Sequence, residues 1–136
     1  MAGYVLDTSA MITYLYDEQG ADTVEEIFLS EEEVFAPFIA IMEVRYKLLR
    51  DFGKDGSAEP LDVLFGWPMK IVESYAEWGE AAAAVKAPGR ISLGDAWVAA
   101  LTLLQDATLV HKDPEFEGVP DLRVVQLPYN QRGGRS

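Results

Sequence analysis

The sequence contains no cysteine, which excludes a disulfide framework, a thiolate zinc site and a cysteine nucleophile. Basic residues are scarce: 11 Lys and Arg stand against 23 Asp and Glu, for a formal net charge of −12. That balance argues against gripping duplex DNA or an anionic membrane through a basic face. It leaves nucleic-acid enzymes open, because metal ions can neutralise a cluster of acids locally. No apolar run approaches the ~20 residues needed to span a bilayer, so no membrane partner is expected. Met1-Ala2-Gly3-Tyr4 leads into an apolar strand without a basic segment, so no signal peptide is expected either, and the expected location is cytoplasmic.

What is present fits one soluble domain. The chain has 136 residues, 49% apolar and 25% charged, a globular rather than a disordered composition. A chain of this size buries roughly two-thirds of its unfolded surface in a single core. Glu31-Glu32-Glu33 reads as a solvated charge run before a strand.

Short apolar strands alternate with helices. Strands are predicted at Tyr4-Val5-Leu6, Val34-Phe35-Ala36, Lys70-Ile71-Val72, Thr108-Leu109-Val110 and Arg123-Val124-Val125. Helices are predicted over 8–16, 22–29, 37–52, 61–65, 76–87 and 92–105, with Pro37 in the first turn of the third. Gly53 closes that long helix, and residues 54–59 read as a polar loop. Parallel connections need crossovers, so this alternation implies an α/β class: a three-layer α/β/α domain over residues 1–130, around a central parallel sheet of about five short strands. Residues 131–136 are expected to be a flexible tail.

In open parallel sheets, ligands sit beyond the carboxyl ends of the strands. Asp7 ends the first strand and Asp113 follows the fourth, within His111-Lys112-Asp113-Pro114. Singly, Asp7 reads equally well as a helix cap and Asp113 as a turn residue; both falling at one sheet edge is the better evidence. Glu43 shares one helical face with Lys47 and Arg50 at i, i+4 and i+7, flanked by Ile39, Met42, Tyr46 and Leu49 on one side and Val44 and Leu48 on the other. An ordinary ion pair on that face would contribute only about 0.3–0.5 kcal/mol. Asp95 lies three residues after Ser92, the spacing of a capping box, before an apolar run that predicts a buried helix.

Two carboxylates about 4 Å apart repel by roughly 4 kcal/mol at an effective dielectric of 20, so a cluster of acids calls for a counter-charge. Hard divalent cations such as Mg²⁺ supply it through oxygen ligands and retain waters for hydrolysis.

Val5-Leu6-Asp7-Thr8-Ser9-Ala10, Glu43 within a mid-chain helix, Ser92-Leu93-Gly94-Asp95-Ala96 and Val110-His111-Lys112-Asp113-Pro114-Glu115-Phe116 together resemble a PIN domain, in particular the VapC-type toxins of toxin–antitoxin modules. The likeness spans essentially the whole chain, and its strength lies in the ordered set rather than in any one motif. It implies a Mg²⁺- or Mn²⁺-dependent endoribonuclease that cuts RNA by in-line attack of a metal-activated water. Asp7, Glu43, Asp95 and Asp113 match the family's acidic quartet, with Asp7 and Asp95 as the firmest metal ligands. Ser9 matches a hydroxyl residue supporting the first carboxylate, and Glu115 matches a further acid after the fourth. His111 stands where relatives carry Thr or Ser, and is read as structural. Lys47, Arg50, Arg90 and Lys112 are candidate phosphate contacts.

The resemblance also implies a cognate antitoxin and a homodimer. Ile41, Leu48 and Val44 lie on a second apolar face of the long helix and need cover, either from the Leu61–Phe65 piece or from a second subunit. The alternatives are a PIN-fold RNA-processing nuclease outside a toxin module and a non-catalytic acidic partner-binding module. An aspartyl-phosphate phosphatase or a receiver domain also places an Asp after the first strand, but the second acid each requires is missing beside Asp7.

Overall fold

In the computed structural model, which describes residues 3–128, Val5 and Leu6 of the first strand, β1 (Tyr4–Leu6), are wholly buried in two separate apolar clusters. Neighbouring strand residues point to opposite faces, so both faces of this strand need cover. The chain supplies it by alternation. After β1 come α1 (Thr8–Leu15) and α2 (Ala21–Leu29), then β2 (Val34–Pro37), α3 (Phe38–Gly56) and α4 (Ala58–Phe65). β3 (Lys70–Val72), α5 (Ala76–Lys86), α6 (Leu93–Leu104) and β4 (Thr108–His111) follow, and a 3-10 turn over Pro114–Gly118 leads to β5 (Val124–Gln126). The tail expected at 131–136 lies outside the described residues.

The five strands run parallel in the order β3-β2-β1-β4-β5. One face packs Leu6, Ala36 and Val110 against Met11, Val24, Phe28, Leu48 and Leu64 of the first four helices. The other packs Val5, Phe35 and Leu109 against Trp78 of α5 and Val98 and Leu101 of α6. The architecture is therefore the expected three-layer α/β/α sandwich. Leu6 is in register with Val110, so the residues that follow β1 and β4 leave the sheet at the same edge. The start of β1 is set by Gly3: a Cβ there would lie 2.3 Å from the Glu33 carbonyl oxygen, at a φ of +99°. Among the described residues, no helix is long and apolar enough to cross a membrane.

Two local expectations are corrected, and one alternative is decided. Pro37 is not in the first helical turn; it ends β2 with extended backbone (φ −65°, ψ 144°), pairs with Val72 and caps α3. Its fixed φ suits both states, and only ψ separates them. Residues 54–59 are not a polar loop. Gly53 breaks the helix axis at φ +76°, but the chain resumes a helical turn to Gly56 and α4 begins at Ala58. Ser57, buried between them, turns its hydroxyl back to the Lys54 carbonyl. Pro60 fits because first-turn amides have no intrahelical partner. The cover for Ile41, Val44 and Leu48 comes from within the chain: all three are buried in one cluster with Leu64, against which Leu61 also packs. The flank of α3 left exposed is the other one, with Met42 at 49%, Tyr46 at 46% and Leu49 at 49% exposure.

Candidate functional site

Asp7 leaves the sheet edge at the carboxyl end of β1 and is only 3% exposed. It does cap α1, with Oδ1 accepting the Ala10 N–H at 2.8 Å and the Ser9 hydroxyl at 2.7 Å. Capping employs one oxygen and leaves the other available, so the structural and functional readings of Asp7 coexist. Ser9 Oγ accepts the Lys112 N–H at 2.9 Å, tying the first helical turn to the segment after β4. Burial is the main reason the Asp7 carboxyl is pushed up to about 7; the Ser9 and Ala10 hydrogen bonds oppose this, and the charges of Asp113 and Glu43 add to it.

Glu43 reaches the same cleft from the middle of α3. Thr8 Oγ1 donates to its Oε1 at 2.5 Å, and its Oε2 lies near the start of α6, 3.7 Å from where a Cβ on Gly94 would stand. Ser92 caps α6 by accepting the Asp95 N–H at 3.2 Å. The second half of a capping box would need Asp95 to accept the Ser92 N–H, but that N–H goes to Glu115 Oε1 at 3.2 Å. The Asp95 carboxyl therefore faces the other acids.

Asp113 caps the 3-10 turn by accepting the Glu115 N–H at 3.0 Å, which directs Glu115 back towards Asp95. One carboxylate oxygen from each of Asp95, Asp113 and Glu115 lies within 4.8 Å of the others. The Asp95 and Glu115 carboxyls lie side by side. Burial, the bond to Glu115 and the charges of Asp113 and Asp7 raise Asp95 to about 8, while the bonds from Asp95 and Ser92 hold Glu115 below its usual range. His111 is buried at 1% exposure, and burial lowers its pKa. Its Nδ1 accepts the Asp113 N–H at 3.0 Å, so the imidazole is neutral there and steers the Asp113 backbone rather than joining the acids.

Asp7, Glu43, Asp95, Asp113 and Glu115 thus line one cleft of about 340 Å³, together with Thr8, Ser9 and Ser92. The charges of Asp113 and Glu43 on Asp7, and of Asp113 and Asp7 on Asp95, help to push these two carboxyls up for want of a counter-charge. The donors are all carboxylates, which suit a hard divalent cation such as Mg²⁺ or Mn²⁺.

The candidate phosphate contacts divide. Lys47 and Lys112 line the cleft; Lys112 Nζ is 3.1 Å from Glu18 Oε1 and its side chain is 11% exposed. Arg50 does not line it, pointing outward and pairing with Asp51 at 2.9 Å. Arg90 lines a neighbouring cleft instead. Sequence reading passed over Thr8, Glu18 and Tyr46 as lining residues. Thr8 adjoins Asp7 and Tyr46 stands one turn from Glu43, both detectable signals; Glu18, 94 residues from its partner Lys112, carried none.

A family model described as PIN domain matches residues 4–122, and the chain belongs to that family. No curated protein sequence matches it significantly. Among solved structures it resembles VapBC2 from Rickettsia felis, bound to a DNA fragment from their promoter, with a TM-score of 0.78 at 17% identity over 91% of this chain and 98% of that one. VapBC-1 from nontypeable Haemophilus influenzae matches with a TM-score of 0.69 at 23% identity over 90% and 96%. VapC20 from Mycobacterium tuberculosis, a toxin that cleaves the sarcin–ricin loop, matches with a TM-score of 0.66 at 16% identity over 89% and 99%.

Proposed function

We propose that this PIN domain is a divalent-metal-dependent endoribonuclease and the toxin of a toxin–antitoxin pair. The observation that carries the reading is the convergence of Asp7, Glu43, Asp95, Asp113 and Glu115 on one cleft at the carboxyl edge of the sheet. The likeness to the sarcin–ricin-cleaving VapC20 and to two VapBC complexes supports the substrate class and the antitoxin.

Asp7, Asp95, Asp113 and Glu43 are the residues that would hold Mg²⁺ or Mn²⁺, with Glu115 beside them. When bound, the cation offsets the charge of the cluster and of the phosphodiester, and acidifies the attacking water. The chain's own residues do the positioning. Ser9 and the Ala10 amide fix the Asp7 carboxylate, Thr8 fixes Glu43, and the His111 imidazole holds the backbone at Asp113. Pre-set ligands need little reorganisation when charge develops on the phosphate. Lys47 and Lys112 provide positive charge at the cleft wall, where a polyanion must approach a chain of net charge −12. The antitoxin, a homodimer and a cytoplasmic setting belong to this reading.

Incubation of purified protein with a structured RNA in Mn²⁺ and in EDTA tests it. Cleavage in Mn²⁺ alone is expected; an RNA left intact in both supports a non-catalytic binding module instead.

A further inference from the structure

Next to the acidic cleft lies a second one, of about 710 Å³, between the end of α5 and the segment that follows the 3-10 turn. Its walls are apolar, built by Val85, Ile91, Leu103, Val119 and Pro120. Two charged residues line it, Arg90 and Glu115, and Glu115 also lines the acidic cleft, so the two are contiguous. Arg90 is exposed and makes no ion pair among the described residues. In a chain of net charge −12, Arg90 sets a positive charge at this edge of the acidic site.

We infer that this cleft is a nucleobase subsite: it takes the unpaired base of the nucleotide flanking the scissile phosphate, with Arg90 facing that nucleotide's own phosphate. The inference rests on the nuclease reading and names how the substrate lies across the site. A single RNA strand offers an apolar base one sugar away from each anionic phosphate, and the paired clefts repeat that alternation. An acidic cleft for metal and phosphate adjoins an apolar one with a cation, Arg90, at its rim. Duplex RNA keeps its bases stacked inside, so the subsite selects single-stranded or looped RNA.

Ala84, exposed on α5, lines the apolar cleft, so Ala84→Trp fills it from a position where the helix tolerates a large side chain. The probes are short single-stranded oligoribonucleotides carrying one 2-aminopurine at successive positions, bound in Ca²⁺, with recovery of intact RNA as a control. For the wild type, the emission of one position should change on binding. In Ala84→Trp that response should vanish and affinity should fall about fivefold, the low end of what losing one base contact costs. Thermal midpoint and Mn²⁺ affinity should not move. Arg90→Ala, a surface change, should reduce the slope of log affinity against log salt by about 0.7, one phosphate contact.

No responding position in the wild type, or an equal response and affinity in Ala84→Trp, overturns the subsite. So does an unchanged RNA response together with a loss of self-association in Ala84→Trp, which makes the cleft an interface between copies. Mn²⁺-dependent cleavage of bulk RNA reads the nuclease separately. Cleavage without a fluorescent response removes only the subsite, and a response without cleavage removes only the nuclease.

Discussion

The Thr8 hydroxyl donates to Glu43 Oε1 at 2.5 Å and so links the first turn of α1 to the middle of α3, across 35 residues of chain. The bond orients a carboxylate that would otherwise swing freely on a half-exposed helix face. Thr8→Val keeps the shape and removes the donor, whereas Thr8→Ser keeps the donor. Thr8→Val should weaken Mn²⁺ binding and RNA cleavage by roughly 10–100-fold, the usual cost of losing a residue that orients a ligand. Thr8→Ser should restore most of it. Equal Mn²⁺ affinity in all three proteins, measured by calorimetry, would contradict the positioning role.

Metal binding should appear as stability. If the cation binds only the folded chain, Mn²⁺ at about 100 times its dissociation constant adds roughly 2.7 kcal/mol. Thermal melts in EDTA and in Mn²⁺ measure this, and identical midpoints would mean that the acids hold no ion.

The buried acids should also make the metal-free protein sensitive to alkali. Asp7 titrates near 3.8 when unfolded and near 7 when folded. A folded state that holds the proton more tightly is favoured at low pH. This stabilisation is complete below about pH 3.8 and lost as pH rises through about 7. Asp95, raised to about 8, acts in the same direction over a window ending higher. Midpoints in EDTA should therefore fall between pH 5 and 8, and fall less in Asp7→Asn, which lacks one titrating group. Mn²⁺ affinity should rise over the same range, because the ligands must lose their protons to bind. A wild-type slope equal to that of Asp7→Asn would show that Asp7 is not the buried acid responsible.

Met42, Tyr46 and Leu49 form the uncovered flank of α3, the surface through which the proposed homodimer would pair. Light scattering at micromolar concentration should give twice the chain mass, and Leu49→Glu should return it to one chain. A wild-type monomer would leave that flank to a different partner.

What sequence could read was whatever is local. Short apolar strands followed closely by an acid, the Ser92 cap and the helix break at Gly53 are short-range signals, and each marks a feature of the fold. Pro37 was misplaced by a single residue because its φ suits both a strand end and a helix start. The long-range facts were hidden. The spacing of α3 leaves open whether the Leu61–Phe65 piece or a second subunit covers Ile41, Val44 and Leu48, and does not say that Met42, Tyr46 and Leu49 stay bare. Arg50 shares a helical face with Glu43 on paper, but a neighbour in sequence, Asp51, takes its guanidinium. The open half of the Ser92 capping box was equally illegible, since the competing acceptor, Glu115, lies 23 residues on.

The central claim is that the acids assemble for chemistry and not merely to cap helices, and Asp7→Asn separates the two. Asn caps a helix about as well as Asp and is nearly isosteric, so the Ala10 and Ser9 contacts can be kept. The measurement is single-turnover cleavage of a structured RNA in Mn²⁺ by both proteins, with melts to confirm folding. The account predicts a well-folded Asp7→Asn, at least as stable as wild type without metal, whose cleavage falls by more than the roughly 10–100-fold that losing a residue behind the ligands costs. A well-folded Asp7→Asn that cleaves at the wild-type rate would contradict it.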